Sequence, residues 1–400
     1  MSETRRPVVL CLASYEKGAD FLRECRRQGC HVMLLTVERL RDAPWPHDSI
    51  DEFLVMPNMT DRQAVVNAVS YLARTREIDK IVALEDYDVQ TAAALREHLR
   101  CPGMGDTTAR YFRDKLAMRV QALDKGLAVP PFVPVLNHTR IHDFTQRVPP
   151  PWMLKPRSDV ATIGIHKIES ADELWSRLEG LGDRQSYYVL EKYVPGDVYH
   201  VDTIMYAREI LFAEANKYGT PPFDVTHGGG LSISSTLPRD DADAMALRDL
   251  NARVLAALNF VQGVTHTEFI KAHEDGRFYF LETAARVGGA YIVDMMQAAT
   301  GLNLWAEWAK VELATDQRPY RLSEHREEYA GIIISLSRQE WPDTSDYNDP
   351  EIVWRLDKLH HAGLVVRSTD PERVQELLAD YAKRFYEDFH AAQPPLETPP

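Results

Sequence analysis

The chain has 400 residues, 44% of them hydrophobic, so at roughly 100–200 residues per domain it is long enough for two to four packed domains. Its 60 acidic and 46 basic side chains give a net charge of −14, which argues against an extended nucleic-acid or anionic-membrane surface. No apolar run approaches the roughly 18 residues of a membrane span, and no signal peptide is evident. We therefore expect a cytoplasmic protein with no nucleic-acid and no membrane partner.

The first hundred residues alternate apolar runs with segments of helical spacing. The order is strand 8–13, helix 19–28, strand 31–36, helix 61–76, strand 80–84 and helix 89–99. Continuous apolar strands are typical of a parallel sheet that is covered on both faces. The loop at 14–18 has no G-x-G-x-x-G sequence for a dinucleotide. We predict a doubly wound parallel α/β domain at 1–105 that supplies scaffold and part of a substrate pocket.

A lysine and a glycine-containing loop follow in the next region. Lys155 ends a short apolar strand and leads into residues 157–165, which contain Gly164. Backbone N–H groups and one ammonium in such a loop would wrap a polyphosphate, although a solvated surface lysine is the alternative. The strand at 186–194 breaks at Pro195, and its end would either receive an adenine ring or form an ordinary turn.

Two glutamates occupy a predicted β-hairpin. Apolar stretches at 263–270 and 277–282 are joined by the turn-like sequence 273–276. If the hairpin is centred near Asp275, Glu268 lies directly opposite Glu282. Facing carboxylates destabilise a sheet, and a shared cation, for which Mg²⁺ is suited, would remove that cost. The alternative is a shifted register that leaves one carboxylate solvated.

The order of these pieces resembles the ATP-grasp superfamily over residues 106–315. The matching pieces, in chain order, are Asp114-Lys115, Leu154-Lys155-Pro156 with its loop to Gly164, Leu190-Glu-Lys-Tyr-Val194, Glu268, and Glu282-Thr-Ala-Ala-Arg-Val-Gly-Gly289. The Glu-x-Ala-Ala-Arg form is similar to that of L-amino acid ligases. The resemblance implies a central ATP-grasp domain at 106–315 and a small C-terminal α+β domain at 316–400, whose proline-rich end we expect to be disordered.

The resemblance also implies roles for individual residues. Lys115 and Lys155 would contact the ATP phosphates, and Glu268 and Glu282 would bind Mg²⁺, with Mn²⁺ as a possible substitute. Arg286 would stabilise the acyl-phosphate and its transition state. The adenine hinge would consist of Glu191, Lys192, Tyr193 and Val194.

Two positions depart from the family pattern. Ala284 stands where an asparagine usually contributes a metal or phosphate contact. Val198 stands where a glutamate often holds the ribose, leaving Asp197, His200 or Asp202 as candidates. We favour Asp202 for a ribose or magnesium role, because it lies two residues after His200 and so on the same strand face. An exposed position on an edge strand is the alternative.

The substrate residues are expected in flexible or glycine-rich segments. Residues 217–230 have the composition of a mobile loop. Its His227, Gly228 and Gly229 would either offer N–H groups to a carboxylate or phosphate or belong to a merely flexible hairpin. Gly288 and Gly289 would allow close approach of a substrate. Tyr291 and Asp294 are candidates to meet the amine-bearing substrate. His266 would either support Glu268 or be a structural histidine.

Together these features predict an ATP-dependent ligase that activates a small carboxylate as an acyl-phosphate and joins it to an amine, releasing ADP and phosphate. The acid is expected to be an amino acid, and the family leads us to expect a homodimer. Two alternatives stay open at this point. One is a bicarbonate-activating, carboxylase-like enzyme, and the other is an ATP-binding regulatory subunit without turnover.

Overall fold

The structure, a computed structural model, describes residues 5–160 and 162–394. Within them the strands form three sheets, which are a four-stranded parallel sheet, a four-stranded antiparallel sheet and an eight-stranded antiparallel sheet. Among these residues no helix is long and apolar enough to cross a membrane. Ala161, in the predicted phosphate loop, and residues 395–400, in the predicted disordered end, lie outside the described part of the chain.

The N-terminal sheet is parallel, in the order β3-β2-β1-β4. Its elements are β1 (Val8–Ala13), α1 (Ala19–Arg27), β2 (His31–Val37), β3 (Glu52–Met56), α2 (Arg62–Leu72), β4 (Lys80–Ala83) and α3 (Val89–Leu99). Alternate residues of β1 enter different hydrophobic cores, so both faces of the sheet are covered. The predicted doubly wound arrangement is confirmed. The half-buried edge strand β3 was not predicted.

A small antiparallel sheet, in the order β5-β8-β6-β7, follows. The elements of this region are α4 (Asp106–Ala109), α5 (Lys115–Asp124), β5 (Phe132–Pro134), α6 (His138–Arg147), β6 (Trp152–Pro156), β7 (His166–Ile168), α7 (Ala171–Leu181) and β8 (Tyr188–Lys192). The Asp114 carboxylate caps α5 by accepting from the Leu116 and Ala117 N–H groups, an interaction that fixes where a helix begins. Lys115 is therefore held in the first turn of α5.

The large sheet has the order β13-β12-β9-β10-β11-β14-β16-β15. Its strands are β9 (Gly196–Tyr206), β10 (Glu209–Tyr218), β11 (Ser232–Thr236), β12 (Gly263–Ala272), β13 (Phe278–Ala284), β14 (Tyr329–Leu336), β15 (Ile352–Arg355) and β16 (His361–Ser368). The accompanying helices are α8 (Pro222–Gly228), α9 (Ala242–Ala257), α10 (Ile292–Thr300), α11 (Leu304–Leu313) and α12 (Pro371–Asp388). The C-terminal strands β14, β15 and β16 thus continue the sheet that contains the predicted metal hairpin.

The segment at 217–230, which we predicted to be a mobile loop, contains the short helix α8. Pro222 is the first residue of this helix, a position where the missing N–H group of proline costs nothing. The prediction of an irregular loop was therefore wrong for the middle of this segment, because its prolines start a helix there. The glycines after Gly228 remain in the connection to β11.

Close packing of α12 against β14 gives a test of this architecture. A Cβ at Gly331 would lie 2.5 Å from Leu378 Cδ1 and 2.9 Å from Val374 Cγ1. Gly331→Ala should lower the free energy of unfolding by about 1–3 kcal/mol, as overpacking does. Urea denaturation measures this change.

Gly180→Ala is the matched control. Gly180 is exposed in α7, and an added Cβ meets no described atom within 4 Å. This substitution should raise the free energy of unfolding by up to about 1 kcal/mol through helix propensity. An unchanged stability in Gly331→Ala would contradict the packing of α12 described above.

Candidate active site

The hairpin of β12 and β13 places Glu268 directly opposite Glu282, as predicted. The turn itself differs from the prediction, because Phe269 pairs with Phe280 and Ala272 with Arg277. A regular ladder from that turn would put Leu281 opposite Glu268. The register instead shifts between the Phe269 and Glu268 pairs, so Leu281 forms a β-bulge. The bulge aligns the two carboxylates, a function that bulges often have beside active sites.

The two glutamates stand at the boundary between two adjoining cavities. The first, which we call the hinge cavity, is lined by eight of the predicted residues: Lys115, Lys155, Glu191, Lys192, Tyr193, Val194, Glu268 and Glu282. The second, the central cavity, has a volume of about 410 Å³ and includes Arg286, Tyr218 and Asp86 in its wall. Lys115, Glu268 and Glu282 line both cavities. Residues separated by more than 160 positions in the sequence are thereby brought into one site.

Lys115 is bound to one of the glutamates. Its ammonium lies 2.8 Å from Glu282 Oε2 and donates a hydrogen bond of 2.7 Å to the carbonyl oxygen of Asp159. The residue is only 7% exposed. Its charge offsets part of the repulsion between the facing carboxylates, and it lies beside the loop predicted to hold phosphate.

Lys155 is held by a buried ion-pair cluster. The Glu191 carboxylate lies 2.9 Å from Lys155 Nζ and 2.7 Å from Arg119 Nε. Burial alone would raise the pKa of Glu191, but the positive charges of Arg119 and Lys155 outweigh it and lower this pKa to about 2. The side chain of Glu191 therefore orients Lys155. Sequence reasoning missed Arg119, whose position in α5 carries no pattern that distinguishes it from an ordinary helical arginine.

Two backbone N–H groups of the predicted adenine hinge already donate hydrogen bonds within the protein. The N–H groups of Lys192 and Tyr193 donate to the carbonyl oxygens of Pro131 and Pro151, at 2.8 and 3.0 Å. In the described hydrogen bonds the N–H of Val194 is not used in this way. An adenine edge at this strand end would consequently form hydrogen bonds with the N–H group of Val194 and with the neighbouring carbonyl groups.

Glu268 is supported by a buried chain of polar side chains. It accepts a 3.0 Å hydrogen bond from the Tyr218 hydroxyl, and its Oε1 lies 3.5 Å from His266 Nε2. His266 Nδ1 lies 2.9 Å from Asp202 Oδ1. Burial opposes protonation of His266, but the negative charge of Asp202 raises its pKa to about 9. His266 therefore lies between Asp202 and Glu268, a position that fits the supporting role considered for it from the sequence.

Asp202 does not reach a position to hold a ribose. Its side chain is fully buried, its oxygens bond to His200, Asn216 and His266, and it is not among the residues lining either cavity. The reason is that the rings of Tyr218 and His266 pack against His200 and cover this end of the strand face. Our preference for Asp202 as the ribose residue finds no support in this geometry.

Arg286 is anchored by an acid from the N-terminal domain. Its Nη2 and Nε lie 2.5 and 2.6 Å from Asp86 Oδ2. Although burial opposes ionisation, the charge of Asp86 raises the pKa of Arg286. Glu85 forms an ion pair with Lys17 beside it. Sequence analysis missed these acids, although they follow the carboxyl end of buried β4, where α/β sheets bind ligands.

The predicted substrate residues have different surroundings. Gly289 lines the central cavity, whereas Gly288 packs so closely that an added Cβ would lie 3.0 Å from His266 Nδ1. His227 bonds to the carbonyl oxygens of Ile165 and Phe223, at 3.0 and 3.1 Å, and so ties α8 to the phosphate loop. Gly228 ends α8 and is exposed, and Gly229 lines a third cavity. A substrate role for these residues stays a prediction.

The amino-acid sequence is similar to a known family model and to a known enzyme. The family model of the ATP-grasp N-terminal domain matches residues 22–103. The chain is 24% identical over 315 residues to an L-arginine-specific L-amino acid ligase of Bacillus subtilis, a match that covers 77% of this chain and 76% of that protein.

Solved structures share the fold over almost the whole chain. An L-amino acid ligase from Bacillus licheniformis has a TM-score of 0.77 at 18% identity and covers 98% of this chain and 100% of its own. An N5-carboxyaminoimidazole synthetase from Staphylococcus aureus, complexed with ADP, has a TM-score of 0.72 at 15% identity and covers 95% of this chain and 98% of its own. Both similarities bear on the fold alone.

The buried cluster around Glu191 predicts a pH-dependent loss of stability. Glu191→Gln should lower the free energy of unfolding by about 3–5 kcal/mol at pH 7, because Arg119 and Lys155 lose their buried partner. The native pKa of about 2 is below the ordinary value of 4.5. The carboxylate therefore contributes stability above about pH 4.5, and this contribution is lost as the pH falls towards 2.

Urea denaturation between pH 3 and pH 8 measures the difference between the two proteins. Glu274→Gln is the control, because Glu274 is exposed and pairs with Lys192 at the surface, where such pairs contribute about 0–1 kcal/mol. A difference for Glu191→Gln that stays constant with pH would contradict the ionised state of this carboxylate.

Proposed function

We infer that this chain, an ATP-grasp protein that resembles L-amino acid ligases, is an ATP-dependent ligase that joins a small carboxylate to an amine. One observation carries this inference. Two carboxylates face each other at the boundary between two cavities. One cavity is lined by the two predicted phosphate lysines and the adenine hinge, and the other is lined by Arg286. ATP in the hinge cavity would direct its γ-phosphoryl group towards an acid in the central cavity.

The donor set fits a magnesium ion. Glu268 and Glu282 supply hard oxygen ligands in a pair, and Mg²⁺ is commonly bound by one or two protein carboxylates together with substrate phosphates. When bound, the ion would neutralise charge on the transferring phosphoryl group. Ala284 supplies no third ligand on this strand, so the two glutamates would provide the protein's share.

The remaining residues bind and orient the reactants. Lys115 and Lys155 would neutralise phosphate oxygens, and each is held by a carboxylate that fixes its ammonium. Arg286 is anchored by Asp86 and also donates from Nη1 to the carbonyl oxygen of Val287, and its remaining N–H groups would face the reacting acid. A planar guanidinium binds phosphoryl and carboxylate oxygens with two parallel hydrogen bonds. Such preorganised charge is the main contribution that a protein makes to phosphoryl transfer.

The chemistry requires two steps on the substrates. A carboxylate is a poor acceptor for an amine, so its oxygen first attacks the γ-phosphorus and ADP leaves. The amine nitrogen then forms a bond to the acyl carbon, the bond from that carbon to the phosphate oxygen breaks, and phosphate takes the electron pair and the proton. The products are an amide, ADP and phosphate. We propose an amino acid as the acid, since a relative of this chain is an L-arginine-specific L-amino acid ligase.

Incubation with Mg-ATP, hydroxylamine and a panel of amino acids tests this function. Hydroxylamine traps an acyl-phosphate as a hydroxamate without any need for the natural amine. We expect hydroxamate, ADP and phosphate with at least one acid. AMP and pyrophosphate as products would overturn the acyl-phosphate mechanism. Turnover with bicarbonate alone would favour the carboxylase-like alternative, and ATP binding without acid-dependent turnover would favour the regulatory subunit.

Substitution of the anchored arginine tests the site directly. Arg286→Lys should lower kcat for hydroxamate formation by at least about 100-fold, because lysine lacks the paired donors of a guanidinium. The exposed Arg338 provides the matched control, and Arg338→Lys should retain native turnover. Equal kcat values for hydroxamate formation in the two variants would show that Arg286 does not take part in the reaction.

The homodimer and the domain limits at 105 and 315 also stay proposals. Light scattering coupled to gel filtration measures the molar mass directly. A mass of about one chain of 45.6 kDa would exclude the homodimer.

A further inference from the structure

The acids that line the hinge cavity differ in whether they have a partner. Among the described residues, four carboxylates line it: Glu191, Asp224, Glu268 and Glu282. The carboxylates of the three glutamates are engaged by lysine, arginine or tyrosine side chains. Asp224 is exposed, and within the described part of the chain its carboxylate forms no hydrogen bond and no ion pair. Asp224 is therefore the acid of this cavity that remains available to a ligand.

The strands that line the hinge cavity provide mainly apolar side chains. ATP with its adenine at the hinge and its phosphates at Lys115 and Lys155 would have its ribose between these two regions. Apart from the facing glutamates, the side chains that β9, β12 and β13 contribute to the described wall are those of Val198, Ile270 and Leu281. These three side chains offer no acceptor to a ribose hydroxyl. The acceptor must come from another element.

The neighbours of Val198 on β9 do not supply this acceptor. Asp197 Oδ2 lies 2.8 Å from Lys217 Nζ, in an ion pair outside the described cavity wall. His200 and Asp202 are fully buried and do not line the hinge cavity. The departure from the family pattern at Val198 is thus not compensated within the same strand.

The helix α8 brings Asp224 to the cavity. Pro222 and Phe223 line the hinge cavity beside it. His227 holds the helix in this position, because its ring stacks on that of Phe223 with the centroids 4.1 Å apart and bonds to the carbonyl oxygen of Ile165 at 3.0 Å. Since Ile165 also lines the cavity, α8 is fixed against the wall that it extends.

One lysine near Asp224 has other partners. The hydrogen bond to Glu169 and, to a smaller extent, the charge of Asp224 raise the pKa of Lys167. Lys167 Nζ lies 3.0 Å from Glu169 Oε1 and 4.6 Å from the centre of the Tyr193 ring. A ligand that reaches Asp224 therefore meets a carboxylate with unused acceptor capacity.

We propose that Asp224 binds the ribose of the nucleotide by accepting hydrogen bonds from its 2′ and 3′ hydroxyl groups. The proposal rests on the proposed ligase function, in which ATP occupies the hinge cavity, and it assigns the ribose to helix α8 instead of strand β9. An ionised carboxylate acts only as an acceptor, and its two oxygens suit two neighbouring hydroxyl donors. Val225 and Thr226 of the same helix line the central cavity, so a nucleotide held in this way contacts the element that also borders the acid.

Titration calorimetry with Mg²⁺ and ADP, 2′-deoxyADP or 3′-deoxyADP tests this assignment without turnover. The native protein should bind ADP about tenfold more tightly than either analogue, which is the effect of one hydrogen bond to a charged group. In Asp224→Ala the affinity for ADP should fall most, because ADP loses both contacts and each analogue loses one. The three ligands should then bind with similar affinity.

Asp240→Ala is the matched control, because Asp240 is exposed between β11 and α9 and lines neither the hinge cavity nor the central cavity. It should keep the native preference for ADP. If Asp224→Ala weakens ADP and both analogues by the same factor, as loss of an ion pair with Lys167 would, or leaves all three unchanged, the proposal is overturned while the ligase function stands. No binding of ADP to the native protein would overturn the ligase function, and this proposal with it.

Steady-state kinetics separate ribose binding from a role in the chemistry. The ribose is remote from the γ-phosphorus, so Asp224→Ala should raise the KM for ATP about tenfold in the hydroxamate assay and leave kcat unchanged, as loss of uniform binding does. A lower kcat at an unchanged KM for ATP would contradict ribose binding and would place Asp224 beside the reacting acid.

Discussion

The repulsion between two facing carboxylates is the constraint on which the rest of this site depends. Glu268 and Glu282 are paired across a ladder, where like charges are destabilising unless they are compensated. The structure surrounds them with positive charge and hydrogen-bond donors. Lys115 binds Glu282, and Tyr218 and His266 support Glu268. A cation of the proposed kind would complete this compensation.

The hinge cavity and the central cavity meet at this carboxylate pair. Glu268 and Glu282 line both of these cavities, so any ligand in one lies beside the carboxylates that also face the other. The N-terminal sheet contributes Asp86, which anchors Arg286 of the segment after β13. The N-terminal domain is therefore more than a scaffold, because this acid, which follows β4, fixes a guanidinium in the wall of the central cavity.

Sequence predicted the parts of this site that are set by local patterns and motif order. The pairing of Glu268 with Glu282 was correct even though the turn was misplaced by one position, because the bulge at Leu281 compensates. The Asp86–Arg286 pair spans 200 positions, and no local pattern links residues so far apart. The ribose role of Asp202 stays a prediction that this geometry does not favour, since strand periodicity gives the face of a residue but not the side chains that cover it. The helix α8 was missed because its prolines were taken as signs of a loop.

Binding of Mn²⁺, measured by electron paramagnetic resonance with a non-hydrolysable ATP analogue, tests the central claim most directly. The probe requires no knowledge of the acid or the amine. In the native protein we expect Mn²⁺ to be held in a complex with both the protein and the nucleotide. The double variant Glu268→Gln/Glu282→Gln should bind the nucleotide in the hinge cavity but weaken Mn²⁺ binding by about 100-fold or more, because hard cations require charged oxygen ligands. Equal Mn²⁺ affinity in the two proteins would contradict a metal role for the facing carboxylates.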